Sequence, residues 1–495
     1  MEFQNDRSRT VITPSGFQPY RDSKVTKGGT SYELVRQLSS NEKYLLINGD
    51  TEGFEGERIP DSNLFLCKTN HHNAVNLRKK LEWLNPQCLG IKKSAGLGDR
   101  LGLATPGHVR AIRGTGIAPI FAQQSVRENM RTRRTPMEII DDAMWGIFQE
   151  GWQDVWGADA DHLKHPEQIE PFIRAGYTFF TIDPGDFVDD AAAADTAGTL
   201  KSKFSLIAES SKDPRFSWET LRRRYLDTPI QLGNLQLTYD ELTLLRCVVK
   251  LGKAIQHIVT MNSHIQKDTH YPFEIEISID ETDTPTTPHE HYFIVQELLH
   301  QHVNFVSLAP RFSGRFEKGV DFIGDLGQFT ALLKQHCEIR DFFNSYKLSL
   351  HSGSDKFSLY PLFGQYTDGY YHVKTAGTSY LEAIRIIAQT NPALFDHMLA
   401  SARMSYEEDK RSYHVSASLL NVPHNTENIT DRLKLLDQFD TRQVFHVTFG
   451  SILNEYKTQI LNTLKQHEEA YYETLIQHFR KHFNPLLGIE KQVKK

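Results

Sequence analysis

Residues Leu348 to Tyr360 read LSLHSGSDKFSLY. Leu348 and Leu350 alternate with Ser349 and His351, so a short strand carries a polar face that ends in an imidazole. The strand then breaks into Ser-Gly-Ser-Asp-Lys, a loop dense in small donors and charge. A functional side chain at a strand's end, followed by a polar loop, is how α/β barrels build active sites. Taken alone, the segment also reads as a hairpin or helix-start loop with an incidental histidine, so its surroundings decide.

Working outward, the same unit recurs from Gln87 onward. Short apolar runs end in polar or glycine-rich loops at Cys88–Ser94, Ala118–Ser125, Val155–Leu163, Thr178–Asp183, Phe273–Asp280, Val303–Leu308, Lys347–His351 and Tyr370–Thr375. Helix-like spacing separates them, as in Pro136–Gln149, His291–His302 and Leu326–Phe342. Strand–helix alternation predicts an α/β protein with a parallel sheet, and eight units suggest closure into a (β/α)8 TIM-like barrel over residues 87–378. An open parallel sheet is the rival. The gap between the fourth and fifth runs is too long for one crossover; residues 187–271 carry helical patterns (Trp218–Tyr225, Tyr239–His264) and read as a helical cap over the active-site mouth. Residues 1–86 read as a small N-terminal α/β appendage, with runs at Tyr44–Ile47 and Leu64–Cys67 before an amphipathic Ala74–Leu84. Residues 379–495 read as a helical C-terminal extension that buttresses the barrel or forms a homo-oligomer contact.

Bulk composition narrows the classes of function. With 39% hydrophobic and 24% charged residues, the 495-residue chain is that of a soluble globular protein. A net charge of -6 and a pI near 6.4 offer no basic excess for phosphates, so nucleic acid is not an expected partner. The four cysteines form no CxxC pair, which suits a reducing cytosol. MEFQNDRSRT lacks an apolar signal region, and no window approaches the ~20 apolar residues of a membrane helix. A cytoplasmic protein with no membrane partner is the expectation.

Strand parity then sorts the side chains. In the fifth run Ile275, Ile277 and Ile279 share one face, and Glu276, Ser278 and Asp280 share the other. His372 and Lys374 oppose Tyr371 and Val373 in the eighth, and Asp159 and Asp161 share a parity in the third, with His162 at its end. Gln123 with Ser125, and Thr181 with Asp183, extend the polar set. Barrel interiors are normally filled by branched apolar groups, and ionisable ones there are costly unless paired or bound to metal. His351 and His372 on neighbouring strands, with His162 from across the barrel, suit one divalent cation such as Zn²⁺, Mn²⁺ or Ni²⁺. Asp161 and Glu276 are the best acid/base pair; a structural ion pair with Lys92 or Lys374 is the alternative.

Other motifs exclude more than they assign. Ser94–Gly102 spaces its glycines one residue too far apart for a dinucleotide fingerprint, and no P-loop lysine follows. That loop could offer backbone N–H groups to a carboxylate, or be a tight turn. His289-Glu290-His291 reads as a helix start rather than a metal site. The chain contains no HExxH and no GxSxG.

HSGSDKFS at His351–Ser358 and HVKTAGTSYLEA at His372–Ala383 are long and unusual, as are SAGLGDRLGLATPGH at Ser94–His108 and WGADADHLK at Trp156–Lys164. Through them, over most of its length and without departure at these positions, the chain resembles the tagaturonate epimerases of bacterial hexuronate catabolism. The resemblance implies a metal-dependent barrel isomerase interconverting D-tagaturonate and D-fructuronate. It implies His162, His351 and His372 as metal ligands and favours Asp161 and Glu276 for proton transfer, with Asp159, Asp183, Asp280, Glu281 and Asp355 competing.

The chemistry such an enzyme needs can be reasoned separately. The two keto-acids differ at a carbinol carbon β to both the ketone and the carboxylate, so its C–H is not acidified and enolisation cannot invert it. A retro-aldol route can. A base removes the carbinol O–H proton, the adjacent C–C bond breaks to an aldehyde and a metal-stabilised enediolate, and re-addition after rotation gives the epimer. For the substrate carboxylate, Lys356, Lys374, Arg311 and Lys318 are candidates, with Lys356 favoured by its loop; Ser125 and Asp183 could hold sugar hydroxyls. The alternatives are a metal-dependent aldolase or ketose isomerase on a sugar acid, a transient hydride shift, and a non-catalytic sugar-acid sensor.

Overall fold

Eight parallel strands close in strict sequence order into a barrel in the computed structural model, which describes residues 14–211, 217–226 and 229–489. The first ten residues, read above for a signal, lie outside these. The strands are β1 (Ser94–Leu97), β2 (Ala118–Ser125), β3 (Gly157–Leu163), β4 (Phe179–Ile182), β5 (Glu274–Ile279), β6 (Ser307–Pro310), β7 (Lys347–Leu350) and β8 (Tyr371–Thr375). β8 closes on β1 by pairing His372 with Ser94 and Lys374 with Gly96. The (β/α)8 expectation is met and the open sheet is excluded.

One boundary moves. The first strand is not Cys88–Ser94 but Ser94–Leu97. The apolar residues before it form the barrel's lower rim, where the Glu274 carboxylate accepts from the Leu89 and Gly90 amides at 2.9 and 2.6 Å. β1 itself is made of small residues because its neighbours crowd it. A Cβ on Gly96 would stand 3.0 Å from the Gln123 side chain, and one on Gly98 3.0 Å from the Ala376 backbone.

The helices between strands begin where capping chemistry places them. Thr135 and Glu138 form a capping box at Pro136–Gln149, and Thr287 and Glu290 do so at Pro288–His300. His289-Glu290-His291 is thus a helix start. His291 is buried, with Nδ1 2.8 Å from His336 Nδ1.

The insertion between β4 and β5 holds helices Ala197–Ser211 and Trp218–Tyr225, a small hairpin (Ile230–Leu232 with Leu235–Leu237) and the long helix Glu241–Asp268. The long helix packs on Pro288–His300 and leads directly into β5, so it serves as the barrel's own fourth helix. No described residue of 187–271 lines the cavities at the mouth. Asp190 of the insertion accepts from the Asp283 amide at 3.0 Å and Lys250 donates to Thr284 at 2.9 Å, so the insertion packs against the loop that follows β5.

At the N-terminus an antiparallel six-stranded sheet lies beside helix His71–Lys80. Two of its strands, Lys43–Asn48 and Leu64–Lys68, coincide with the apolar runs. Thr30–Gln37 escaped because its polar residues interrupt the alternation. After Thr378–Thr390, the eighth barrel helix, the chain runs through further helices to Glu468–Leu486, which packs along Thr105–Ile112 and Tyr360–Thr367. Glu468 accepts from Tyr20 and Arg36 at 2.7 and 2.8 Å, tying the N-terminal sheet to the last helix. Among the described residues, no helix is long and apolar enough to cross a membrane.

Candidate active site

The polar faces of β3, β4, β5 and β8 meet on one ammonium. Lys374 Nζ, buried inside the barrel, lies 2.7 Å from Asp159, 2.6 Å from Asp161 and 2.7 Å from Glu276, and donates to Thr181 Oγ1 at 2.6 Å. Three carboxylates share one cation in a buried interior. Burial pushes the Asp159 carboxyl up to about 7, and the Asp161 charge beside it adds to the effect. Burial also opposes ionisation of Asp161, but Lys374 and the neighbouring imidazoles outweigh it and hold that carboxyl below the usual range. Such a cluster costs several kcal/mol to bury (roughly, per ion), so stability alone does not account for it.

Above this cluster lies a second group. Ligating atoms of His162, Asp280 and His351 fall within 4.8 Å of one another, the geometry of a divalent-cation site. His351 follows directly on β7, with Nε2 2.6 Å from Glu276 and Nδ1 3.2 Å from Asp280. His162 reaches the mouth through a local irregularity. The β3–β4 register shifts between Phe180 and Ile182, and His162 takes a left-handed φ of 55°. Regular alternation would turn His162 away from Asp161; with the bulge both line one cavity. Asp183 holds His162 Nδ1 at 3.2 Å.

The donor chemistry suits a metal. Burial should keep both imidazoles neutral, yet the surrounding carboxylates hold His162 up to about 10 and His351 up to about 9. Positive charge is thus wanted where the three ligating atoms converge, and a bound cation would replace those protons.

The family model described as tagaturonate epimerase matches residues 20–486. A Thermotoga maritima protein named tagaturonate/fructuronate epimerase is 42% identical over 488 residues, covering 96% of this chain and 98% of that one. The chain belongs to the tagaturonate epimerase family. It is therefore an isomerase of the epimerase kind. Among solved structures, a glycerol complex of the fructuronate-tagaturonate epimerase UxaE from Cohnella laeviribosi superposes with a TM-score of 0.90 at 38% identity, covering 95% of this chain and 96% of that one. Its native form gives 0.90 at 37% identity, over 96% and 97% of the two chains.

Within this family member, several expected site residues stand elsewhere than sequence placed them. His372 is outside the metal-capable group. It faces inward as parity required, but it precedes Lys374 by two residues on β8 and pairs with Ser349, not with the level of His351. It lies one layer down, about 7 Å below the mouth at strand rise, with Nδ1 2.8 Å from Ser94 Oγ and its ring against Phe179. Asp280 joins His162 and His351 instead, and its parity with Glu276 was the available signal. Lys356 is also misplaced: buried, it donates to the carbonyls of Glu317, Val320 and Ser354 at 2.9, 2.6 and 3.0 Å and does not line the cavity. Asp183 orients His162. Ser125 lines the cavity while its Oγ caps the following helix. Of Asp161 and Glu276, Asp161 borders the cavity, whereas Glu276 lies beneath it, joined to His351 and Lys374.

The glycine-rich loop after β1 offers no anion cradle, because Asp99 takes the Leu101, Gly102 and Ala104 amides at 3.0, 2.8 and 2.7 Å. Sequence reasoning also missed Tyr413 and His446, which line the cavity from the C-terminal extension. No local pattern marks residues that reach a site from so far along the chain.

Asp355, His478 and His482 form another metal-capable group. Its atoms are already committed: Asp355 meets Arg442 at 3.1 Å and His478 at 2.9 Å, and its amide donates to His482 Nε2 at 3.1 Å. The guanidinium opposes a cation there.

Proposed function

We propose that this chain interconverts D-tagaturonate and D-fructuronate by breaking and re-forming one C–C bond, with a divalent cation held by His162, Asp280 and His351. The family match supports the substrate pair. The observation that carries the mechanism is the placement of Asp161, linked to Glu276 through Lys374, beside the metal-capable group at the cavity floor. When bound, a divalent cation supplies Lewis acidity that favours negative charge on nearby oxygens.

The protein's own groups then do the following. Asp161, kept ionised by Lys374, accepts the carbinol O–H proton and later returns it. Lys374 holds Asp161 and Glu276 at fixed separation from the floor, so the receiving oxygen is in place before the substrate arrives. Glu276 orients His351 through Nε2, which leaves Nδ1, on the Asp280 side, for the cation, and Asp183 orients His162 through Nδ1. Ser125 presents a hydroxyl to the cavity for a sugar oxygen.

Incubating metal-reconstituted protein with D-tagaturonate and following the product by NMR tests this reading. A product of unchanged mass with one inverted centre supports it. Accumulation of two fragments would establish the aldolase alternative, and no turnover with binding retained would leave a sensor.

A further inference from the structure

The cations around the mouth are mostly committed. Lys374 serves three carboxylates and Lys356 three carbonyls. Arg100 holds Glu128 with Nε and Nη2 at 2.9 and 2.6 Å. Arg311 donates to the Asp280 carbonyl at 3.2 Å and lines only the adjoining recess, not the cavity that contains Asp161. Lys318 and Arg127 differ. Among the described residues neither has a carboxylate within ion-pair distance. Lys318 Nζ donates to Ser352 Oγ at 2.8 Å, while Arg127 Nη1 donates to the Ser412 carbonyl at 3.1 Å and its Nε is buried without a partner.

Both side chains line the cavity that contains Asp161 and His351, and both line the recess adjoining it. Each is held in place. Ser352 is the neighbour of His351, so its bond fixes the Lys318 ammonium relative to the metal-capable group. The Arg127 guanidinium lies 4.7 Å above the Tyr413 ring, which comes from the C-terminal extension. Burial, and then the Arg127 charge beside it, hold the Lys318 ammonium below the ordinary lysine range. The Glu128, Glu281 and Asp280 carboxylates act on Lys318 only from beyond ion-pair distance, so the two like charges still favour an anion entering between them.

We propose that Lys318 and Arg127 together receive the carboxylate of the sugar acid and set the preference for uronates over neutral ketoses. This rests on the epimerase reading above. The Lys318 protons not used by Ser352 and the free Arg127 Nε–H supply donors for two carboxylate oxygens. Lys356, which sequence favoured for this task, has none to spare.

The test compares wild type, Lys318→Met, Lys318→Arg and Arg127→Met on D-tagaturonate and on D-tagatose, whose primary alcohol replaces the carboxylate. Lys318→Met and Arg127→Met are expected to lower kcat/KM for tagaturonate roughly 30-fold or more. The loss should fall on KM rather than kcat, because a remote carboxylate contact is the same in ground and transition states. Turnover of tagatose should not fall with it, and Lys318→Arg should recover most of the loss. An equal loss on both substrates, or no loss on tagaturonate, would overturn the proposal. Calorimetric binding of tagaturonate to the same proteins separates the two readings. Binding that Lys318→Met abolishes, in a wild type that never turns over, would sink the epimerase reading and leave the carboxylate site standing.

Discussion

Lys374 Nζ is the atom on which the site's electrostatics turn, because Asp159, Asp161 and Glu276 all approach it within 2.7 Å. Replacing it by methionine leaves three carboxylates buried without their cation. The expected outcome is a loss of about 3–5 kcal/mol in urea unfolding at neutral pH, reduced if the carboxyls take up protons. Asp161→Asn is a milder change, since the amide keeps the shape and loses the proton-accepting oxygen. It should fold normally and lower kcat by roughly 100-fold or more, read from the NMR progress curve. At this scale parity found the right faces: Asp161, Glu276, His351 and Lys374 all point inward as alternation requires. It could not tell one barrel layer from the next, which is why it groups His372 with His162 and His351 although the ring stands a layer below them. Nor could it anticipate that a bulge would turn His162 to the same cavity as Asp161.

Among the secondary elements, capping and periodicity made the helices legible, and the strands that failed did so for one reason. β1 and Thr30–Gln37 carry small or polar residues whose inclusion in a sheet is decided by neighbours, not by their own propensity. Two interior helices also carry buried neutral histidines that couple folding to pH. His108, on Thr105–Ile112, is lowered to about 4 and His336, on Leu326–Phe343, to about 3, in each case by burial. Unfolded, both would titrate near the ordinary value of 6.5. Between 6.5 and those folded values the unfolded chain binds protons that the native state refuses. Stability is therefore full above pH 6.5 and declines as pH falls through the window toward 4 and then 3. For His108 the loss is on the order of 3 kcal/mol. Chemical unfolding of wild type and His108→Gln across pH 4–7 checks the sign: the variant should show the shallower decline.

In the molecule as a whole, the C-terminal extension braces the 352–356 loop that follows β7. Asp355 sits in that loop at a left-handed φ of 61° and is held by Arg442 at 3.1 Å, His478 at 2.9 Å and Thr378 at 3.2 Å. Asp355→Asn should loosen the loop beside His351, lowering the melting temperature and lowering kcat by about 10- to 100-fold. Long-range closure of this kind leaves no trace in local pattern, and for the same reason the length of the insertion between β4 and β5 does not say which loops it packs against. What the barrel does supply is convergence: residues from β3, β5 and the ends of β3 and β7 meet at one point of the mouth. Anomalous diffraction at the absorption edge of a soaked divalent metal measures that directly. A single peak within bonding distance of His162, Asp280 and His351 is the predicted result; a peak at Asp355, His478 and His482, or one bonded to His372, would contradict it.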